Sequence, residues 1–312
     1  MQYKRYKSEL PYSYALGMAP TVELVRQWPE RALTVFTHPK YRAGTVAGAV
    51  AGADPVAVAA VAGVASTVGA DIVPGTVMYA DPAAVAGTDS AAIASAIAGV
   101  GPADITNAAP AAVANIYDLC NKYGVPCVEN QKIFNIIADK ENIFVAGVFS
   151  KGGPHSETLD PRLPHAVFVN PADAGNLGAN VRTCAGFDFN DIAIIKPGAD
   201  IYSPKAVRAS MGAIFHIRTV EYDSYEQYAA EYPNHVKYCF MLNGETQLNG
   251  VEPGEDDRVS LIFGNEATGL PDEYLRRGRG VRIAHTGAID SLNLSVAVGI
   301  AANAFYTLKK VR

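Results

Sequence analysis

The sequence predicts an α/β protein whose C-terminal half is a parallel sheet covered by helices on both faces. Two observations carry this. From residue 165 onward, apolar strand-like runs alternate with helical segments. The runs are also continuously apolar, as strands buried on both faces are, rather than alternating. A third feature shapes the other half: two short α/β pieces are separated by a long Ala/Gly/Val-rich stretch.

In chain order, Thr21–Gln27 is predicted as a helix framed by Pro20 and Pro29, and Leu33–Phe36 as a strand. After the biased stretch, IYDLCNKYG reads as a helix closed by Gly124, then VPCVE and IFVAGVF as strands. Residues 1–150 form one domain on this reading, interrupted by an insertion over 43–115. Residues 151–164, rich in Gly, Pro and polar side chains, form a linker, and 165–312 a second domain. There HAVFVN (165–170) is a strand, 176–187 a helix opened by Asn176, and DIAIIKP (191–197) a strand. SPKAVRASMGAIF is a helix with Ser203 as N-cap and Pro204 in its first turn. Ser224 with Gln227 opens another helix. VKYCFML, VSLIFG and VRIA are strands, and SLNLSVAVGIAANAFYTLKK is a final helix buried on most sides.

The chain has 312 residues, enough for two domains. The basic, polar N-terminus suggests no secretory signal, and no apolar run of about 18 residues suggests a membrane span. A cytoplasmic protein is expected. The four cysteines form no CxxC pair and are expected to be reduced, structural thiols; the six histidines show no ligand spacing, so no metal is expected. A net charge of −5 argues mildly against a nucleic-acid partner. The insertion, however, holds five Asp and no Lys, Arg or Glu. Without those five, 26 of the 31 acidic residues remain, matching the 26 basic ones.

Polar and glycine residues gather where the predicted strands end. NPADAGNLGANVRT (170–183) lies between strand and helix and places Asn176 six residues before Arg182. FGNEATGL (263–270) sets Gly264, Asn265 and Glu266 directly after a strand, and RIAHTGAIDSLNLSVAVG (282–299) puts Ser291 and Asn293 at a helix start. Singly, these read as a loop, a turn and a pair of caps. Together, at the C-terminal edge where α/β sheets bind ligands, they mark a site. No GxGxxG follows a strand and no GxxxxGK[ST] occurs, which disfavours a dinucleotide oxidoreductase or a nucleotide triphosphatase.

In order and spacing these three motifs closely resemble those of the TrmH (SpoU) family of SPOUT methyltransferases, from His165 to about Tyr306. Residues 1–42 and 116–150 resemble, more weakly, the family's RNA-binding domain; the insertion departs from it. The resemblance implies a trefoil-knotted parallel-sheet domain, S-adenosylmethionine as cofactor, and methylation of a ribose 2′-hydroxyl in tRNA or rRNA by a homodimer. It implies that Leu242, Asn243, Gly244, Gly264, Ile283, Ala284 and Leu292 hold the cofactor. Arg182 matches the catalytic arginine, surrounded by Asn176, Glu266, Ser291 and Asn293. Because a guanidinium is a poor base, Arg182 is read as a clamp on the neighbouring phosphate, with Glu266 orienting it or its neighbours. Lys205, Arg208, Arg276 and Arg277 are candidates for the RNA surface. The rival readings are a knotted RNA-binding or ribosome-assembly protein without catalysis, and a small-molecule methyltransferase.

Overall fold

Seven strands of the C-terminal half run in one direction. In a computed structural model, residues 3–41, 115–137, 142–151, 158–254, 258–286 and 288–310 are described. The insertion read at 43–115 lies outside them apart from its last residue. Strands β5 (His165–Val169), β6 (Asp191–Ile195), β7 (Arg218–Tyr222), β8 (His235–Phe240), β9 (Thr246–Gln247), β10 (Arg258–Phe263) and β11 (Arg279–Arg282) form a sheet in the order β7-β6-β5-β10-β8-β11-β9. Every neighbouring pair is parallel.

Helices cover both faces, as the continuous apolar runs predict. Side chains alternate between faces along a strand. One set, with Val167, Ala193, Cys239 and Ile262, packs under Tyr225, Tyr228 and Tyr232 of helix α6 (Tyr225–Glu231) and its C-terminal end. The opposite set faces α4 (Ala174–Gly186) and α7 (Leu294–Lys310), which pack on one another. On that face Phe263 stacks on Phe168 at 5.8 Å and on Phe240 at 4.8 Å, a three-ring ladder across β5, β10 and β8.

Several expectations are corrected. Helix α4 starts at Ala174, capped by Asp173, whose carboxylate accepts the Asn176 N–H at 2.8 Å; Asn176 therefore sits in the first turn rather than opening the helix. SPKAVRASMGAIF is not one helix. Helix α5 spans only Pro204–Ala209, with the expected Ser203 cap, and Met211 and Gly212 take positive φ before a short 3-10 turn at Ala213–His216. Strand β11 stops at Arg282, leaving Ile283 and Ala284 beyond it. Helix α7 begins at Leu294, and it presents Val296 and Ile300, 51% and 40% exposed, where burial was expected.

The N-terminal half forms its own sheet, in the order β1-β4-β2-β3, from β1 (Tyr12–Leu16), β2 (Ala32–Thr37), β3 (Cys127–Glu129) and β4 (Val145–Ser150). Helices α1 (Met18–Gln27), α2 (Ile116–Tyr123) and α3 (Gln131–Ile137) accompany it. Strand β1 and helix α3 were missed because both are short and carry many polar neighbours. So was β7, an edge strand with a mixed burial pattern. All four cysteines are free, three of them buried. No helix among the described residues is long and apolar enough to cross a membrane.

The end of the expected linker is a pinned strap. Leu159 is buried, and its N–H donates to the Tyr232 hydroxyl at 2.9 Å. The Asp160 N–H donates at 2.7 Å to Asp191, a buried carboxylate held by Arg218. His165 and His235, ring centroids 4.1 Å apart, donate through Nε2 to the carbonyls of Asp160 and Pro161. Burial pushes the His165 imidazole down to about 4 and His235 in the same direction.

An unfolded imidazole titrates near 6.5, so between pH 6.5 and about 4 the unfolded chain binds protons that the fold excludes. Stability should therefore fall with pH in that window, by up to about 1.4 kcal/mol per unit for His165. Urea midpoints at pH 7 and pH 5 check this: His165→Asn should flatten the dependence, and an unchanged slope would refute the assignment.

Candidate active site at the strand ends

The sheet register builds the site. Phe168 pairs with Phe263, Ile262 with Cys239, and Phe240 with Val281. Phe168, Phe263, Phe240 and Val281 thus share one level, across four adjacent strands about 14 Å wide. Just past the strand ends come Asn170, Asn265, Leu242 and Ile283, the first residues of the connecting loops or close to them. All three sequence motifs, and the Leu242–Gly244 turn, therefore leave the sheet at the same edge. The aromatic ladder lies two residues below them.

Glu266 joins the first two motifs. Its carboxylate accepts the backbone N–H groups of Ala172 at 2.9 Å and Asp173 at 3.2 Å, while the Asn265 amide donates to the Asn170 carbonyl at 2.7 Å. Glu266 makes no hydrogen bond or ion pair to Arg182 among the described residues; its carboxylate holds the loop ahead of α4. Asn293 belongs to the third motif, and its side chain accepts the Ser295 N–H at 2.9 Å, capping α7. Ser291 lies outside that helix and is exposed. Helix α7 then runs beside α4: a Cβ on Gly299 would lie 3.7 Å from Thr183, and Phe187 meets Tyr306.

Arg182 stands apart from this cluster. It is exposed and makes no hydrogen bond or ion pair among the described residues. It lies one turn beyond Gly178, where a Cβ would sit 2.2 Å from the Ala206 carbonyl oxygen, so it follows the α5 side of α4. Thr183, facing α7, is about 100° away around the helix. Asn176 shares the Thr183 side, seven residues earlier. Within one chain, then, Glu266 and Asn265 join the first two strand-end loops, and Arg182 is exposed on α4.

The glycines have a nearer cause than ligand approach. A Cβ on Gly264 would fall 2.2 Å from the Gly269 carbonyl carbon, and one on Gly244 2.6 Å from that of Val281. Both let loops close on neighbouring backbone. The edge they shape fits the adenosine of the expected cofactor. Leu242 (63% exposed) and Ile283 offer apolar walls, and the residues past the strand ends offer uncharged backbone donors and acceptors. A separate cavity of about 260 Å³ lies on β8, β9 and β11, lined by Tyr238, Thr246, Glu252 and Arg279 among others; apart from strand neighbours it shares nothing with the expected site.

Of the basic residues read as an RNA surface, Arg208 and Arg276 are exposed. Lys205 is exposed as well and pairs with Asp173 at the surface. Arg277 pairs with Glu226 and Glu273 and lies over the rings of Tyr225 and Tyr274.

The parallel sheet and its strand-end motifs together point to a class: a domain of SPOUT methyltransferase architecture. Comparison with known proteins agrees. Residues 164–303 match the model of the SpoU rRNA Methylase family. A putative tRNA (cytidine(34)-2′-O)-methyltransferase of Listeria innocua is 30% identical over 142 residues, 44% of this chain and 83% of the relative. A 23S rRNA (adenosine(1067)-2′-O)-methyltransferase of Streptomyces laurentii is 32% identical over 130 residues, 41% of this chain and 48% of the relative. Among solved structures, the SpoU methyltransferase AviRb of Streptomyces viridochromogenes, in complex with AdoMet, superposes with a TM-score of 0.62 at 13% identity, covering 96% of this chain and 91% of that one. The AdoMet-bound rRNA methyltransferase of Sinorhizobium meliloti gives 0.59 at 19% identity, covering 94% and 86%. The chain belongs to the SpoU methylase family.

Gly264→Ala forces the 264–270 turn open and should cost about 1–3 kcal/mol. It should also weaken S-adenosylmethionine binding at least tenfold, about 1.4 kcal/mol or more. Titration calorimetry beside thermal melting reads both, and wild-type affinity would show that this turn is not part of the cofactor site.

Proposed function

We propose that the chain transfers a methyl group to a ribose 2′-hydroxyl of tRNA or rRNA, with the N-terminal sheet as the RNA-binding domain. The observation that carries this reading is the convergence of three motifs on one edge of the parallel sheet. The relatives' names add the substrate class: each is an RNA methyltransferase, whereas nothing favours a knotted protein without catalysis.

Bound S-adenosylmethionine supplies an electrophilic methyl carbon on a sulfonium. Leu242, Asn243, Gly244, Gly264, Ile283, Ala284 and Leu292 hold its adenosine end, largely through backbone groups. The chain's remaining task is to place the 2′-oxygen in line with that carbon, and orientation of this kind lowers a barrier substantially. Arg182 clamps the adjacent phosphate and favours loss of the hydroxyl proton electrostatically. Asn176, Ser291 and Asn293 surround the ribose, and Glu266 fixes the loop on which Asn176 rides. Arg208 and Arg276 add phosphate contacts.

The working unit is a homodimer on this proposal. Val296 and Ile300 form an exposed apolar strip one helical turn apart on α7, and Leu242 and Ile289 are exposed as well. Arg182, turned away from its own strand ends, then serves the partner's site. The connection from β11, beyond β8, back to α7 against α4 and β10 is the path along which a trefoil knot would thread.

Mixing two inactive variants tests this arrangement. Equimolar Arg182→Ala and Gly244→Val chains, reassorted at random, should recover about a quarter of wild-type activity, since half the dimers then carry one intact composite site. No recovery would place Arg182 in its own chain's site. Mapping 2′-O-methyl positions in total RNA with and without the gene tests the substrate class itself.

A further inference from the structure

The N-terminal half grips the catalytic half at several points, and one of them touches the first motif. Trp28 and Phe149 pack on Phe215 at 5.0 and 5.3 Å, and Glu23 pairs with His216 at 2.7 Å. These contacts end on the 3-10 turn at Ala213–His216. A second set ends on the turn after β6. The Tyr6 hydroxyl and the Lys151 ammonium (3.1 Å) both donate to one oxygen of Asp200, and the Ser13 hydroxyl donates to the Tyr202 carbonyl. The other Asp200 oxygen accepts the Tyr202 N–H at 2.8 Å, so this one carboxylate ties three segments together. Lys151 and Asp200 side chains are only 14% and 25% exposed, which shields the pair from solvent.

From Asp200 the contacts run directly into the motif. The neighbouring Ala199 N–H donates to the Pro171 carbonyl at 2.7 Å, and a Cβ on Gly198 would lie 3.1 Å from the Pro171 ring. Pro171 precedes Ala172 and Asp173, whose N–H groups Glu266 holds. A second route closes the ring. Ser203 caps α5, Lys205 of that helix pairs with Asp173, and Asp173 caps α4, the helix carrying Asn176 and Arg182.

We propose that Asp200 is a positioning residue, through which docking of the N-terminal domain sets the loop 170–176 for methyl transfer. It touches neither cofactor nor substrate; it holds the turn against which Pro171 rests. The proposal rests on the methyltransferase reading for its catalytic consequence, while the coupling itself is independent of it.

Hydrogen exchange on the full-length protein tests the coupling. Asp200→Asn keeps the shape but weakens two hydrogen bonds to a charged acceptor, an effect large enough for at least fivefold faster exchange. That acceleration should appear at Ala172, Asp173 and Ala199, and not within β5 or β10. Tyr6→Phe, a milder change, should move the same amides in the same direction. Glu23→Gln, which loosens docking at the other contact, should leave them unmoved. In turnover, Asp200→Asn should lower kcat several-fold while KM for S-adenosylmethionine stays within about twofold, and Asp200→Glu should restore part of the loss. Unchanged exchange at Ala172 and Asp173, or acceleration spread evenly over the sheet, would overturn the proposal. A wild-type protein that methylates no RNA but still shows the local effect would refute the assigned activity and leave the coupling standing.

Discussion

The common direction of seven strands is the constraint from which everything else follows. Because the strands are parallel and in register, every connection leaves the sheet at one edge, and residues distant in sequence become neighbours there. Asn170, Asn265, Leu242 and Ile283 all follow strand ends on that edge although 113 residues separate the first from the last. The Phe168–Phe263–Phe240 ladder lies two residues beneath them, and Glu266 locks two of the loops to each other. A one-residue slip of β10 would turn Phe263 to the other face and carry Gly264 and Glu266 out of place.

Much of this was legible in the sequence because the signals are local. The continuous apolar runs HAVFV and VSLIF gave strands buried on both faces. Ser203 with Pro204, and Ser224 with Gln227, gave helix starts that the structure reproduces. The three motifs read singly as a loop, a turn and caps, and stood out only together, through their resemblance to the SpoU family pattern. What escaped was set by tertiary contact. Nothing local says that Asp173 outcompetes Asn176 as the cap, or that Met211 and Gly212 break a plausible helix. Strand β1 is read poorly because Tyr12, Ser13 and Tyr14 are polar by type but buried by partners.

Electrostatics were the least legible layer. The sequence counts charges; the structure decides which remain available. Arg277, 28% exposed, is held by Glu226 and Glu273, and Lys205 shares a surface pair with Asp173, whereas Arg182 makes no pair among the described residues. The supposed linker likewise became a strap held by Asp191, His165 and His235, whose partners lie at the starts of three different strands. Arg182 was expected beside the strand ends; it is exposed on α4 and makes no hydrogen bond or ion pair among the described residues.

The central claim is that the C-terminal strand edge is the cofactor site, and ligand-dependent hydrogen exchange measures it most directly. With saturating S-adenosylmethionine, protection should rise at 241–244, 263–266 and 282–293 together, and little elsewhere. Protection concentrated instead around Thr246, Glu252 and Arg279, or absent from all three loops, would contradict it.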